Sequence, residues 1–299
     1  MIFEKSIGHS EIKNRLENAV LNEKVSHAYI FAGRYGVGKN TLAREFAYAV
    51  TDGNIADIVV VSNEIYDEDS KSESLTVKTI RNASADMYIK PYAANKRVFI
   101  FPNAEKMTVQ AQNALLKVFE EPPGYCVIIL ITQNDRMLIK TIRSRAITLR
   151  FGMLKDEEVK LYLKQKGIEC RPVVLRLASG SIGLALKLSE NDEIVAMFDE
   201  FVALFKSIAF GKAFNAYKII SYFSQHKKDA EILFDIMLIM LRDTMLKNKT
   251  DLFIEGISIS NAVNMINKIE NTRNSFSFNA NYDIAVSEMM LDMLGEING

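Results

Sequence analysis

"HAYIFAGRYGVGKNTLAREFAYAV", residues 27–50, sets out a strand, a glycine-rich turn and a helix in that order. The run HAYIFAG (27–33) is continuously apolar rather than alternating, as in strands covered on both faces of a sheet. NTLAREFAYAV (40–50) reads as a helix. Between them, Gly33, Gly38 and Lys39 fit the pattern Gly-x4-Gly-Lys-Ser/Thr, with Gly36 inside the turn. Asn40 stands where the hydroxyl belongs, and Thr41 comes one residue late. A loop of this kind folds its backbone N–H groups around phosphate at a helix N-terminus. Lys39 would reach the β- and γ-phosphates, and the next residue normally places a hydroxyl on Mg²⁺. Asn40 offers an amide oxygen instead. The pattern therefore allows a phosphate cradle and leaves its metal chemistry open.

The same alternation continues to about residue 150. IADIVVV (55–61), RVFIF (97–101) and CVIILIT (126–132) are further strand candidates. TVKTIRNASADMYI (76–89) and MTVQAQNALLKVFEE (107–121) read as helices, the second stopping at Pro122–Pro123. In the latter, Met107, Ala111, Ala114, Leu115 and Val118 share one face, and Thr108 is a candidate N-cap. Strands alternating with helices predict βαβ units and a parallel sheet. The acidic stretch SNEIYDEDSKSES (62–74) is predicted to be a solvated loop. Beyond Phe151 the strand signals fade. KDEEVKLYLKQKG (155–167) predicts a helix ending at Gly167, and CRPVVLRLASGSIGLALKL (170–188) two short helices joined at Ser179–Gly180. Residues 191–299 are helical in pattern almost throughout. Three parts are expected: an α/β module (1–152), a small helical module (153–190) and a larger helical bundle (191–299).

Lys+Arg and Asp+Glu both number 37 in 299 residues, so any nucleic-acid contact must come from a local patch or from other subunits. Cys126 and Cys170 form no CxxC pair, which argues against a structural zinc or a disulfide framework. His9, His27 and His226 are too scattered to suggest a metal site, and His27 reads as structural. The charged N-terminus lacks an apolar signal region. ILFDIMLIML (232–241) is about half the length of a membrane span and contains Asp235, which predicts a helix buried on most sides.

Metal-assisted hydrolysis also requires carboxylates at the end of a neighbouring strand. After RVFIF come Pro102 and Asn103, which can neither ligate a metal as carboxylates nor act as a base, and Glu105 lies on the following turn. Positions 40, 102 and 103 thus all depart from metal-assisted phosphoryl transfer.

Several blocks in order resemble bacterial clamp-loader subunits of DNA polymerase III, a branch of the AAA+ family. They are SHAYIFAGRYGVGKNTLAREFA (26–47), IKPYAANKRVFIFPNAEKMTVQAQNALLKVFEEPP (89–123), VIILITQNDRMLIKTIRSRAITLRF (127–151) and LASGSIGLAL (177–186). The third carries Ser144–Arg145–Ala146 at the family's Ser-Arg-Cys motif; MLRDTMLKN (240–248) is a weaker match. The resemblance implies an AAA+ parallel sheet with helices on both faces, then a helical lid (153–190) and an all-α collar (191–299) through which subunits assemble. Gly183 stands at the family's lid arginine. With the nucleotide positions 40, 102, 103 and 183 altered and Ser144–Arg145 kept, the pattern is most similar to the delta-prime type of subunit. That similarity implies a non-hydrolysing cytoplasmic stator with no required cofactor, its loop still able to hold ATP or phosphate or else surviving as scaffold. Arg145 would be an arginine finger for a neighbouring gamma/tau ATPase subunit. The further partners implied are delta, the sliding clamp and primer-template DNA. The four-Cys zinc module of many relatives is not expected, because residues 1–125 contain no Cys. Lys78 and Arg81 suit a DNA-facing helix or a merely solvated one. The alternative is an active gamma/tau-like ATPase in which Asn40 ligates the metal and Glu105 supplies the acid.

Overall fold

The computed structural model describes residues 2–298 apart from 69, 71, 73, 249 and 277–279, with backbone alone for 172 and 173. The elements of the first half are α1 (Ser10–Leu21), β1 (Ala28–Ala32), α2 (Lys39–Val50), β2 (Ile58–Val60), α3 (Asn63–Tyr66), α4 (Val77–Asp86), β3 (Arg97–Phe101), α5 (Val109–Glu120), β4 (Cys126–Thr132), α6 (Lys140–Arg143), β5 (Ile147–Arg150) and α7 (Asp156–Gln165). They are followed by α8 (Pro172–Ala178), α9 (Ile182–Ser189), α10 (Asp192–Lys206), α11 (Ala213–Gln225), α12 (Ala230–Met245), α13 (Ile259–Phe276) and α14 (Tyr282–Asn298). The chain forms two compact units, one of residues 1–168 and 179–184, the other of residues 169–178 and 185–299. Residues 153–190 are thus shared between them.

In the first unit all five strands pair in parallel in the order β2-β3-β4-β1-β5. Side chains alternate across the sheet. Ala28, Ile30, Phe99, Phe101, Ile128 and Leu130 enter one core with residues of α4, α5 and α6. Tyr29, Phe31, Val98, Ile100, Val127 and Ile129 enter another with residues of α1 and α2. Two buried faces explain why the central strands lack polar alternation, and the fold class is the one expected. Thr108 caps α5 as expected, accepting from Ala111 N at 3.2 Å. The sequence pattern did not single out β5, a four-residue edge strand whose last residue, Arg150, is exposed.

The acidic stretch is corrected in part. It contains α3, whose Asn63 is buried and donates to Ser72 O and Ser74 O at 2.7 and 2.9 Å. Its Oδ1 accepts from Thr79 Oγ1 at 2.7 Å. One buried amide with this many partners holds the segment against α4; residues 69, 71 and 73 lie outside the description.

The second unit is all-helical. α12 is buried along most of its length by Leu233, Phe234, Ile236, Met237, Met240 and Leu241, as its apolar run predicts. α13 and α14 run antiparallel, tied by Asn261 Nδ2 to Glu296 O at 2.7 Å and by Lys268 to Asp292 at 3.2 Å. Among the described residues no helix is long and apolar enough to cross a membrane.

Candidate functional site

The glycine loop leaves the C-terminal end of β1. A Cβ at Gly33 would lie 2.5 Å from Phe151 O, so the close passage of two backbones fixes glycine there. Gly36 and Gly38 have φ of 75° and 95°, a region that favours glycine, and Gly38 is the N-cap of α2. Lys39 is only 6% exposed. Its ammonium turns back to donate to Gly33 O and, at 2.6 Å, to Arg34 O. Burial pulls its pKa down to about 8, opposed by the charge of Glu105. Asn40 and Thr41 are exposed on the first turn of α2.

Residues 181–183, part of the same unit, are seated on this loop. Ser181 Oγ donates to Tyr35 O at 2.9 Å and Gly183 N to Gly36 O at 3.0 Å. A Cβ on Gly183 would come within 2.8 Å of Gly36 Cα, and one on Gly36 would strike Ser181 Oγ. A side chain at 183 is therefore incompatible with this approach. His9 approaches from the other side. Its Nε2 lies 2.9 Å from Val37 O and its ring meets Phe151 edge-on at 4.8 Å. Burial lowers the His9 pKa, and its bond to Val37 opposes the shift.

Beyond β3, Asn103 adopts the left-handed region at φ 50°, one that asparagine tolerates better than most residues. Pro102 and Asn103 turn the chain into a single 3-10 turn, Ala104–Lys106. Glu105 sits on that turn with a buried Oε2 that has no hydrogen-bond partner among the described residues.

Ser144 and Arg145 lie elsewhere. They follow α6 and lead into β5, at the N-terminal edge of the sheet. β5 pairs with β1 so that Tyr29 is level with Ile147 and Ala32 with Arg150. Continuing that register puts residue 145 level with 27, six residues below Gly33, a separation on the order of 20 Å. Ser144 Oγ donates to Thr141 O at 3.0 Å. Arg145 donates to Thr141 O at 3.2 Å and pairs with Glu120 at 3.4 Å, with 38% of its side chain exposed. The structure thus brings Gly33, Gly36, Gly38, Lys39 and Gly183 together and holds Arg145 apart. Lys78 and Arg81 are exposed on α4, Lys78 pairing with Asp67 at 2.8 Å.

Sequence reasoning missed three residues. Ser181 and His9 reach the loop from distant sequence positions. Gln112, 1% exposed in α5, bonds to the chain leading into α6. A signal was available for Gln112 alone: it lies beside Ala111 on the apolar flank of an otherwise regular helix.

Residues 8–155 match a family model described as DNA polymerase III, delta subunit. That match covers just under half of the chain, and together with the relatives below it makes the chain similar to DNA polymerase III subunits. DNA polymerase III subunit tau of Bacillus subtilis is 28% identical over 303 residues, covering 85% of this chain and 52% of that protein. Subunit delta' of the same organism is 26% identical over 257 residues, covering 77% and 75%. Subunit gamma of Buchnera aphidicola from Schizaphis graminum is 29% identical over 209 residues, covering 63% and 58%. The chain thus spans little more than half the length of the tau and gamma relatives. Among solved structures, a gamma-subunit-related protein of Thermotoga maritima aligns over 94% of this chain and 99% of its own. Its TM-score is 0.49 at 19% identity.

Proposed function

We propose that this chain is the delta-prime stator of a DNA polymerase III clamp loader. It carries no hydrolysis at its own loop and presents Arg145 to ATP held by a neighbouring gamma/tau subunit. Residues 153–190 would act as its lid and 191–299 as its collar, in a cytoplasmic hetero-oligomer with delta that loads the sliding clamp on primer-template DNA. The observation that carries this reading is the contrast between Lys39, turned onto its own loop carbonyls, and Arg145, exposed at the opposite end of the strands. The groups around the loop do not fit a magnesium–nucleotide site. Pro102 and Asn103 replace the carboxylates, and Gly183 replaces the lid arginine in a place with no room for a side chain. A separation of about 20 Å from its own loop supports a role for this guanidinium on another molecule. It is permanently charged and planar, suited to oxygens that gain charge during phosphoryl transfer.

The test is reconstitution with gamma/tau, delta, clamp and primed DNA. Arg145→Ala should abolish the stimulation of turnover that this subunit confers; unchanged turnover would reject the assignment. The second reading, an active ATPase, has in its favour the charge of Glu105 acting on Lys39 and the tau and gamma relatives. It requires steady-state ATP hydrolysis by the isolated chain that is lost in Lys39→Ala.

A further inference from the structure

We infer that Gln112 is a positioning residue for Arg145, an inference that rests on the role proposed for that arginine. Gln112 lies in the first turns of α5, and its amide is used in both directions. Nε2 donates to Met107 O and Met137 O, each at 3.1 Å, and Oε1 accepts from Ile139 N at 2.8 Å. Residues 137–139 enter α6, and Ser144–Arg145 follow α6 directly. Among the described residues, no other side chain bonds to the backbone of 137–139. At its far end the segment returns to the same helix, where Arg145 meets Glu120. The turn carrying Arg145 is therefore fastened to α5 at positions 112 and 120, about 12 Å apart along one rigid helix.

The apolar anchors of the segment are separate. Leu138 and Ile142 are buried in the core beneath α5 and do not depend on the amide. Replacing Gln112 with an apolar side chain of similar size keeps that packing and removes only the polar ties. The backbone at 137–139 then loses its register on α5, and the guanidinium two helical turns away shifts with it. Misplacement of a positioned group by about 1 Å can lower a rate by as much as ~100-fold.

The experiment compares wild type, Gln112→Met, Arg145→Ala and the double variant in the reconstituted complex, using ATP as the probe. Gln112→Met is expected to lower DNA-stimulated turnover about tenfold, with the KM for ATP within about twofold of wild type. Adding it to Arg145→Ala should cause no further loss, because both act through one guanidinium. Amide exchange at Ile139, read on the same samples, should quicken in Gln112→Met. Gln112→Glu keeps the acceptor for Ile139 N–H but loses both amide donors, so it should lower turnover about threefold, less than Gln112→Met, and decides the matter should the methionine variant not assemble.

Two failures are distinct. Unchanged turnover in Arg145→Ala removes the proposed finger itself. A loss in Arg145→Ala with wild-type turnover in Gln112→Met, despite faster exchange at Ile139, overturns the positioning role alone. So does a further loss in the double variant, which would mark Gln112 as a general structural support, or wild-type turnover in Gln112→Glu where that variant stands alone.

Discussion

Lys39 and Arg145 lie at opposite ends of two neighbouring parallel strands, β1 and β5, and their surroundings differ in kind. Lys39 is buried and donates to two carbonyls of its own loop, with residues 181–183 seated beside it. Arg145 is half open to solvent and held by one carbonyl and one loose ion pair. A buried ammonium with two of its three donors spent on its own loop has little left to offer a ligand, whereas an exposed guanidinium keeps most of its donors free. Within one fold, the lysine of the glycine loop is thus turned inward while the more accessible cation lies elsewhere.

The most direct way to break this comparison is to remove each cation in the assembled loader. Arg145→Ala should lower clamp-loading activity at least tenfold, consistent with the size of trans arginine effects. Arg145→Lys should recover little, because an ammonium cannot reproduce the planar fork. Lys39→Ala should change activity by less than about twofold. The opposite ranking, measured by clamp-dependent ATP turnover, would make the loop the working site.

The closed half can be tested through Gly183. An added Cβ there meets the backbone of Gly36 at 2.8 Å, with no flexible side chain to give way. Gly183→Ala should therefore destabilise the chain by about 1–3 kcal/mol, read from urea unfolding midpoints. An unchanged midpoint would mean that residues 181–183 do not rest on the loop.

Much of this contrast was legible in the sequence, for reasons that can be named. Strands buried on two faces are continuous apolar runs, so β1, β3 and β4 stood out. The edge strand β5 did not, because it is short and ends in an exposed arginine. The loop glycines, Lys39 and the odd residues at 40, 102, 103 and 183 could be read by spacing and by resemblance. Their physical settings could not. Asn103 occupies a left-handed turn, and Gly183 has no room for a side chain; both facts depend on long-range packing. The buried amide of Asn63 stayed hidden for the same reason, and that of Gln112 showed only as a polar residue on an apolar flank, because the partners of both are set by the fold.

The burial of Lys39 also has a pH signature. Its folded pKa is about 8, whereas an unfolded lysine titrates near about 10.4. Between those values the unfolded chain binds more protons, so stability rises with pH across that window. Lys39→Met removes this contribution. Urea unfolding from about pH 7 to about pH 10 should show wild type gaining stability relative to the variant above about pH 8. A flat difference would put the ammonium in solvent and erase the contrast with Arg145.

The smallest effect is expected at Glu120, and it sharpens the open half. Its pair with Arg145 is 3.4 Å long, with both side chains substantially exposed. Such pairs contribute only about 0–1 kcal/mol and weaken with salt. Glu120→Gln should leave the unfolding midpoint nearly unchanged and turnover in the reconstituted loader within about twofold of wild type. A neighbour's triphosphate carries several negative charges and would displace one solvent-exposed carboxylate from the guanidinium. A loss as large as that in Arg145→Ala would show instead that Glu120 orients the guanidinium. Arg145 would then be as firmly held as Lys39, and the two ends of the strands would differ in burial alone.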